Sequence, residues 1–124
     1  MQKRILLVEG DLHSREGLRD WLRAEGHTVV TAADGWQAIR RVKEDRFDIA
    51  IVDLDLPPVL GVTVTGWDLA RIFRAYNQSM SLIVVGAEEA EAVRAQAEEM
   101  RVSKFLEKPI SPAWLKTIVQ TLGP

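Results

Sequence analysis

The sequence predicts an α/β domain in which a parallel β-sheet is covered by helices on both faces. Two observations lead to this fold class. Short apolar segments typical of strands alternate with amphipathic segments along the whole chain. The apolar segments are also unbroken, as expected of strands that are buried on both faces. Because strands and helices alternate, right-handed crossovers and parallel pairing of the strands are expected.

The first half of the chain contains two strands and two helices by this criterion. Residues 5–8 form a continuous apolar run rich in β-forming side chains, which predicts the first strand. Apolar residues over 18–22 recur at helical spacing, and Gly26 is placed to close that helix. Residues 28–31 predict the second strand, and a helix is expected from 36 to about 44.

The second half repeats the alternation three times. Residues 47–52 are apolar except for Asp48 and predict the third strand. Residues 67–76 have the periodicity of a helix, and 82–85 are typical of a buried strand. The chain then continues with a helix over 88–100 that is rich in alanine and glutamate, a short strand over 105–106, and a helix over 112–122 with proline near its start.

Length and composition limit the possible functions. With 124 residues, 47% of them hydrophobic, residues 1–124 are expected to form a single domain. The net charge of -2 gives no reason to expect nucleic-acid or membrane binding. No cysteine is present, which excludes disulfides and thiolate chemistry. The apolar run near the N-terminus is too short for a signal peptide or a membrane span, so we expect a soluble, cytoplasmic protein.

Acidic residues and one lysine follow three of the predicted strands. Glu9 and Asp11 follow the first strand, Asp53 and Asp55 end the third, and Lys108 follows the fifth. The carboxyl ends of parallel strands form the functional edge of such sheets, so these residues should converge. Converging carboxylates repel one another unless a cation lies among them, and Mg²⁺ prefers oxygen ligands. The alternative is that these acids merely end strands in a solvated loop.

Three segments resemble the signatures of response-regulator receiver domains: ILLVEGD, DIAIVDLDLP and FLEKPIS. They occur in the same order as in that family, and TAADGWQAI resembles its second strand and helix. The resemblance covers essentially the whole chain. It implies a flavodoxin-like fold of five parallel strands in the order 2-1-3-4-5 with five helices. It also implies that Asp53 is the phosphoacceptor in a two-component signalling system.

The resemblance assigns roles to further residues. Glu9 matches the first of two acids that hold Mg²⁺ with Asp53, and Asp55 matches a position whose backbone carbonyl is a metal ligand. Lys108 matches the lysine that contacts the phosphoryl group, and its bond to Pro109 matches a cis peptide. Phe105 matches an aromatic switch residue on the fifth strand.

The sequence departs from the family pattern at three places. Gly10 replaces the second acid of the pair, and the only candidate substitute nearby is Asp11. Gly86 replaces a serine or threonine whose hydroxyl contacts the phosphoryl group. The loop after Pro57 is longer than usual, and its Thr63 or Thr65 could supply the missing hydroxyl or could simply be loop residues.

Three functions from different classes are therefore compared. The first is a receiver that accepts a phosphoryl group on Asp53 from a sensor histidine kinase or phosphotransfer protein and switches a surface for a downstream protein partner. The second is a pseudo-receiver that binds proteins without phosphorylation, as Gly10 and Gly86 suggest. The third, a flavin carrier, is disfavoured because acidic residues after the first strand would repel a phosphate. No enzymatic activity is expected.

Overall fold

The computed structural model describes residues 2–87 and 90–122 and shows one five-stranded parallel sheet in the order β2-β1-β3-β4-β5. The strands are β1 (Arg4–Val8), β2 (Thr28–Ala32), β3 (Ile49–Asp53), β4 (Ser81–Gly86) and β5 (Lys104–Glu107). The helices are α1 (Leu12–Ala24), α2 (Gly35–Glu44), α3 (Gly66–Tyr76), α4 (Glu91–Glu99) and α5 (Pro112–Thr121). The predicted fold class and strand order are confirmed.

Alternate residues of each central strand pack on opposite faces of the sheet, as the pleat requires. In β1, Ile5 and Leu7 belong to a core cluster with residues of α1 and α5, whereas Leu6 and Val8 belong to a second cluster with residues of α2 and α3. All four β1 side chains are almost fully buried. This two-sided burial explains why the strands are unbroken apolar runs in the sequence.

Most element boundaries differ from those predicted by a residue or more, and the starts of β3 and α4 are two examples. The third strand begins at Ile49 rather than at residue 47. Just before it, the Asp48 side chain accepts a hydrogen bond from the Arg4 backbone N–H at 2.8 Å. The fourth helix begins at Glu91, and the predicted start at Glu88 lies outside the described residues. Within the described part of the chain, no helix is long and apolar enough to cross a membrane.

Three loops at the carboxyl edge of the sheet bring distant segments together. They are the β1–α1, β3–α3 and β5–α5 connections, and they begin with Glu9, Leu54 and Lys108. The β3–α3 connection is the longest of the three and contains a small hairpin closed by a bridge between Val59 and Val62. The candidate site lies where these three loops meet.

Candidate phosphoacceptor site

Asp53 is the last residue of β3, and its side chain is almost completely buried at the carboxyl edge of the sheet. Its Oδ2 accepts a hydrogen bond from Lys108 Nζ at 2.8 Å, which is also a salt bridge. Its Oδ1 accepts the backbone N–H of Asp55 at 2.9 Å. Both carboxylate oxygens are therefore oriented, and a buried charge of this kind requires such partners. The juxtaposition of Asp53 and Lys108 expected from the sequence is present.

Glu9 is the second buried acid of the site, with 7% of its surface exposed. Its Oε1 accepts the Asp11 backbone N–H at 3.1 Å. Burial, followed by a hydrogen bond with the Asp53 side chain, raises the pKa of Glu9 from 4.5 to about 7. The Glu9 carboxyl is therefore partly protonated at neutral pH when no cation is bound.

Lys108 is the first residue of the β5–α5 connection, and its backbone N–H donates a hydrogen bond to the Gly86 carbonyl at 2.9 Å. Burial alone would lower the pKa of Lys108. The hydrogen bond and charge of Asp53, together with the charges of Glu9 and Asp55, outweigh burial, and the pKa is raised. Lys108 therefore keeps its positive charge beside Asp53. The Lys108–Pro109 peptide bond is cis, as the resemblance implied.

The Asp11 side chain lies at the start of α1. It is the N-cap of α1, and its Oδ2 accepts the Ser14 backbone N–H at 2.9 Å. Hydrogen bonds with Ser14 also lower the pKa of Asp11, whose side chain is exposed. The structure thus gives the Asp11 carboxylate a helix-capping role, and a role in place of the acid missing at Gly10 stays a prediction.

Gly10 lies directly against the loop that follows β3. A β-carbon built on Gly10 would lie 2.8 Å from Cδ of Pro57, which is closer than real β-carbons approach. An acidic residue at this position would therefore require the Pro57 ring or the β1–α1 loop to move.

The donor set fits a hydrated divalent cation only in part. No group of three or more acidic or histidine side chains is placed to hold a metal among residues 2–87 and 90–122. Two side-chain carboxylates, Glu9 and Asp53, do converge, and Mg²⁺ is commonly held by one or two carboxylates with water completing its octahedron. If Mg²⁺ is bound, Glu9, Asp53 and the Asp55 backbone carbonyl are the residues that would hold it.

Gly86 ends β4 next to the aromatic ring of Phe105 on β5. A β-carbon on Gly86 would lie 3.2 and 3.3 Å from two ring carbons of Phe105 and 3.1 Å from Cδ1 of Leu54. The half-buried Phe105 ring thus occupies the space beside the position where the family has a hydroxyl side chain. A larger residue at position 86 would press on this ring.

The two loop threonines do not replace that hydroxyl in this structure. Thr65 is the N-cap of α3, where its hydroxyl accepts the Asp68 backbone N–H at 3.1 Å, and the Asp68 carboxylate accepts the Thr65 backbone N–H at 3.0 Å. This reciprocal pair is a capping box. Thr63 is exposed. Thr65 is therefore a helix-capping residue, and the idea that it supplies the hydroxyl is not supported.

A cleft beside the acidic residues was not predicted from the sequence. It has a volume of about 730 Å³ and lies between α1 and the β5–α5 connection. Glu9 and Lys108 line its polar end, and Leu18, Trp21 and Ile110 line its apolar part. Trp21 also packs against the core cluster that contains residues of α1 and α5. No local pattern reveals the cleft, because its walls come from opposite ends of the chain.

A buried, oriented aspartate lies beside a lysine and a second acid at the carboxyl edge of a 2-1-3-4-5 sheet, which is the arrangement expected of a receiver domain. The chain matches the model of the response regulator receiver domain over residues 5–120 and belongs to that family. It is 29% identical over 127 residues to the polar-differentiation response regulator DivK of Brucella anthropi, which covers 99% of this chain and 98% of the relative. It is also 29% identical over 111 residues to the response regulator MprA of Mycobacterium ulcerans, covering 90% of this chain and 46% of MprA.

Solved structures agree with this assignment. Chemotaxis protein CheY4 of Vibrio cholerae superposes with a TM-score of 0.87 at 23% identity, covering 98% of this chain and 99% of CheY4, which shows the shared fold. The receiver domain of the sensor histidine kinase PA1611 of Pseudomonas aeruginosa superposes with a TM-score of 0.82 at 27% identity, covering 98% of each chain. That structure has a magnesium ion coordinated in its active-site cleft. The chain is thus a receiver domain of the two-component type, a class of generally non-enzymatic signalling domain.

Proposed function

We propose that this receiver domain accepts a phosphoryl group on Asp53 from the phosphohistidine of a sensor histidine kinase or phosphotransfer protein. The observation that carries the proposal is the 2.8 Å contact between Lys108 Nζ and Asp53 Oδ2 at the carboxyl edge of the sheet. A carboxylate oxygen is a competent nucleophile toward phosphorus when nearby cations neutralise the phosphoryl oxygens.

The reaction exchanges one bond to phosphorus for another. An Asp53 oxygen attacks the phosphorus atom, the bond from phosphorus to the donor imidazole nitrogen breaks, and an aspartyl phosphate and a neutral imidazole result after protonation of the ring. Lys108 turns from the Asp53 oxygen to a phosphoryl oxygen, and its retained charge stabilises the charge that develops there. Mg²⁺, when bound, supplies the second positive charge on the phosphoryl oxygens.

Glu9 contributes by changing its protonation state. With a pKa of about 7, it holds a proton in the free site and releases it when a cation replaces that proton. Cation binding and proton release are therefore coupled in this receiver. The downstream effect of phosphorylation is a change in a surface that binds a protein partner.

The second candidate function is a protein-binding module that works without phosphorylation. It is favoured by the Phe105 ring, which already lies against Gly86 with no hydroxyl between the ring and the site. A phosphoryl group shifts a conformational equilibrium only through contacts that differ between the two states. With that hydroxyl missing, phosphorylation should bias the Phe105 region weakly.

Intact-mass measurement after exposure to Mg²⁺ and acetyl phosphate separates the two candidates. We expect the wild-type chain to gain the mass of one phosphoryl group and Asp53→Asn to gain none. Asp20→Asn, which changes an exposed aspartate of α1 outside the site, is the matched control and should be labelled like the wild type. Lys108→Gln should be labelled more slowly, by about 10²–10³-fold on the scale of a lost electrostatic donor. A wild-type chain that is never labelled would favour the phosphorylation-independent module.

A further inference from the structure

The hairpin in the β3–α3 connection displays a leucine at its tip. Val59 and Val62 exchange both backbone hydrogen bonds, at 2.9 and 3.0 Å. The two residues between them, Leu60 and Gly61, have φ angles of +51° and +76°, as in the type I′ class of hairpin turns. Glycine and asparagine are favoured at such positions, whereas a leucine with positive φ is uncommon and strained.

Burial in its own domain does not stabilise the Leu60 side chain and so does not offset this strain. It is 99% exposed, and Val62 beside it is 52% exposed. Leucine at a strained and fully solvated turn stabilises neither the hairpin nor the core. Strained backbone of this kind is found at functional surfaces. An apolar side chain at a hairpin tip, such as Leu60, is suited to entering a pocket of another molecule.

A second apolar side chain lies where the same loop packs on α2. A β-carbon built on Gly35 would lie 2.4 Å from Cβ of Val64, so the loop and the first turn of α2 are in direct contact. Trp36, the next residue of α2, is 47% exposed. The hairpin and the start of α2 thus present apolar side chains from neighbouring segments of the same edge.

The exposed face of α2 gives this surface a positive charge. Trp36, Arg40 and Lys43 lie at i, i+4 and i+7 and therefore form one stripe along the helix. Within the described ranges 2–87 and 90–122, neither Arg40 nor Lys43 forms an ion pair. The exposed charged residues of α2 are Arg40, Arg41, Lys43 and Glu44, so the helix surface has a net positive charge although the whole chain has a net charge of -2.

We infer that the Leu60 hairpin and the Trp36–Arg40–Lys43 stripe form a docking surface for an acidic amphipathic helix of a partner protein. Two apolar side chains alone would not supply the roughly 800 Å² per partner of a standard interface, so the occupant must also cover the α2 stripe. That stripe selects carboxylates by charge complementarity. A second copy of this chain fits less well, because an isologous contact presents the same basic rim on both sides.

The test uses a synthetic helical peptide of about four turns with leucine on one face and glutamate on the other, and a counterpart with lysine in place of glutamate. We expect amide shifts on titration with the acidic peptide to map to residues 59–62 and to α2. Leu60→Asn and Trp36→Gln should each weaken binding by about tenfold or more, as loss of a buried anchor does. Asparagine tolerates positive φ, so Leu60→Asn should remain folded.

Matched variants and a second measurement make the result decisive. Trp114→Gln removes an equally exposed tryptophan, 49% against 47%, from α5 and should leave binding unchanged. Lys43→Glu should weaken the acidic peptide and not the basic one. The inference is overturned by equal binding of both peptides, by no binding of either, or by unchanged affinity in Leu60→Asn. It is also overturned if sedimentation shows a dimer that Leu60→Asn abolishes, since the occupant would then be a second copy.

Discussion

Replacing Glu9 with glutamine should remove most of the pH dependence that the acidic site imposes on folding. Burial and the hydrogen bond with Asp53 raise the pKa of Glu9 from 4.5 to about 7, so the folded chain holds a proton that the unfolded chain releases. Stability from this group is therefore fully present below pH 4.5 and is lost as the pH rises to about 7. A pKa difference of one corresponds to about 1.4 kcal/mol, so the rise of about 2.5 in the pKa corresponds to a loss of about 3 kcal/mol.

The measurement is urea unfolding of the wild type and Glu9→Gln from pH 5 to pH 8 with a chelator present. Glutamine keeps the shape of the protonated acid and cannot ionise, so the stability of Glu9→Gln relative to the wild type should rise with pH by about 2 kcal/mol or more. Burial lowers the pKa of His27, which destabilises both proteins as the pH falls below 6.5 and cancels in the difference.

Two controls complete this experiment. Glu16→Gln replaces an exposed glutamate of α1 and should follow the wild type at every pH. Saturating Mg²⁺ should reduce the difference in slope, because a cation replaces the proton on the wild-type site. A difference between Glu9→Gln and the wild type that stays constant within about 0.5 kcal/mol across the range would refute the reasoning.

Three further substitutions test other contacts of the site. Gly10→Asp should tighten Mg²⁺ binding in calorimetry, because it adds a carboxylate to the site. It should also destabilise the fold through the close contact with Pro57. Gly10→Ala, the control, should destabilise the fold in the same way without increasing the affinity for Mg²⁺. Gly86→Ala should destabilise the fold by about 1–2 kcal/mol in chemical unfolding and shift the ring resonances of Phe105, whereas unchanged ring resonances would contradict the observed packing. Thr65→Ala should lower the unfolding free energy by about 0.5–2 kcal/mol, because it removes the α3 capping box, and should leave phosphoryl labelling unchanged. A loss of labelling would show that Thr65 takes part in the site.

The fold class and the location of the site follow from the amino-acid sequence alone. Unbroken apolar runs such as residues 5–8 require burial on both faces, and their alternation with helices leaves a parallel sheet as the physical solution. The position of Asp53 and Lys108 directly after strands then places both at one edge. These properties depend on local patterns and on the direction of the strands, which the sequence displays directly.

The tertiary structure decided which neighbouring groups act together. Asp11 was a possible substitute ligand by its place in the chain, yet its carboxylate caps α1 because the Ser14 N–H is within reach. The contact of Gly10 with Pro57 and the ring of Phe105 beside Gly86 join segments far apart in the chain. Such contacts depend on distances of a few tenths of an ångström between strands and loops, and no pattern along one segment encodes those distances.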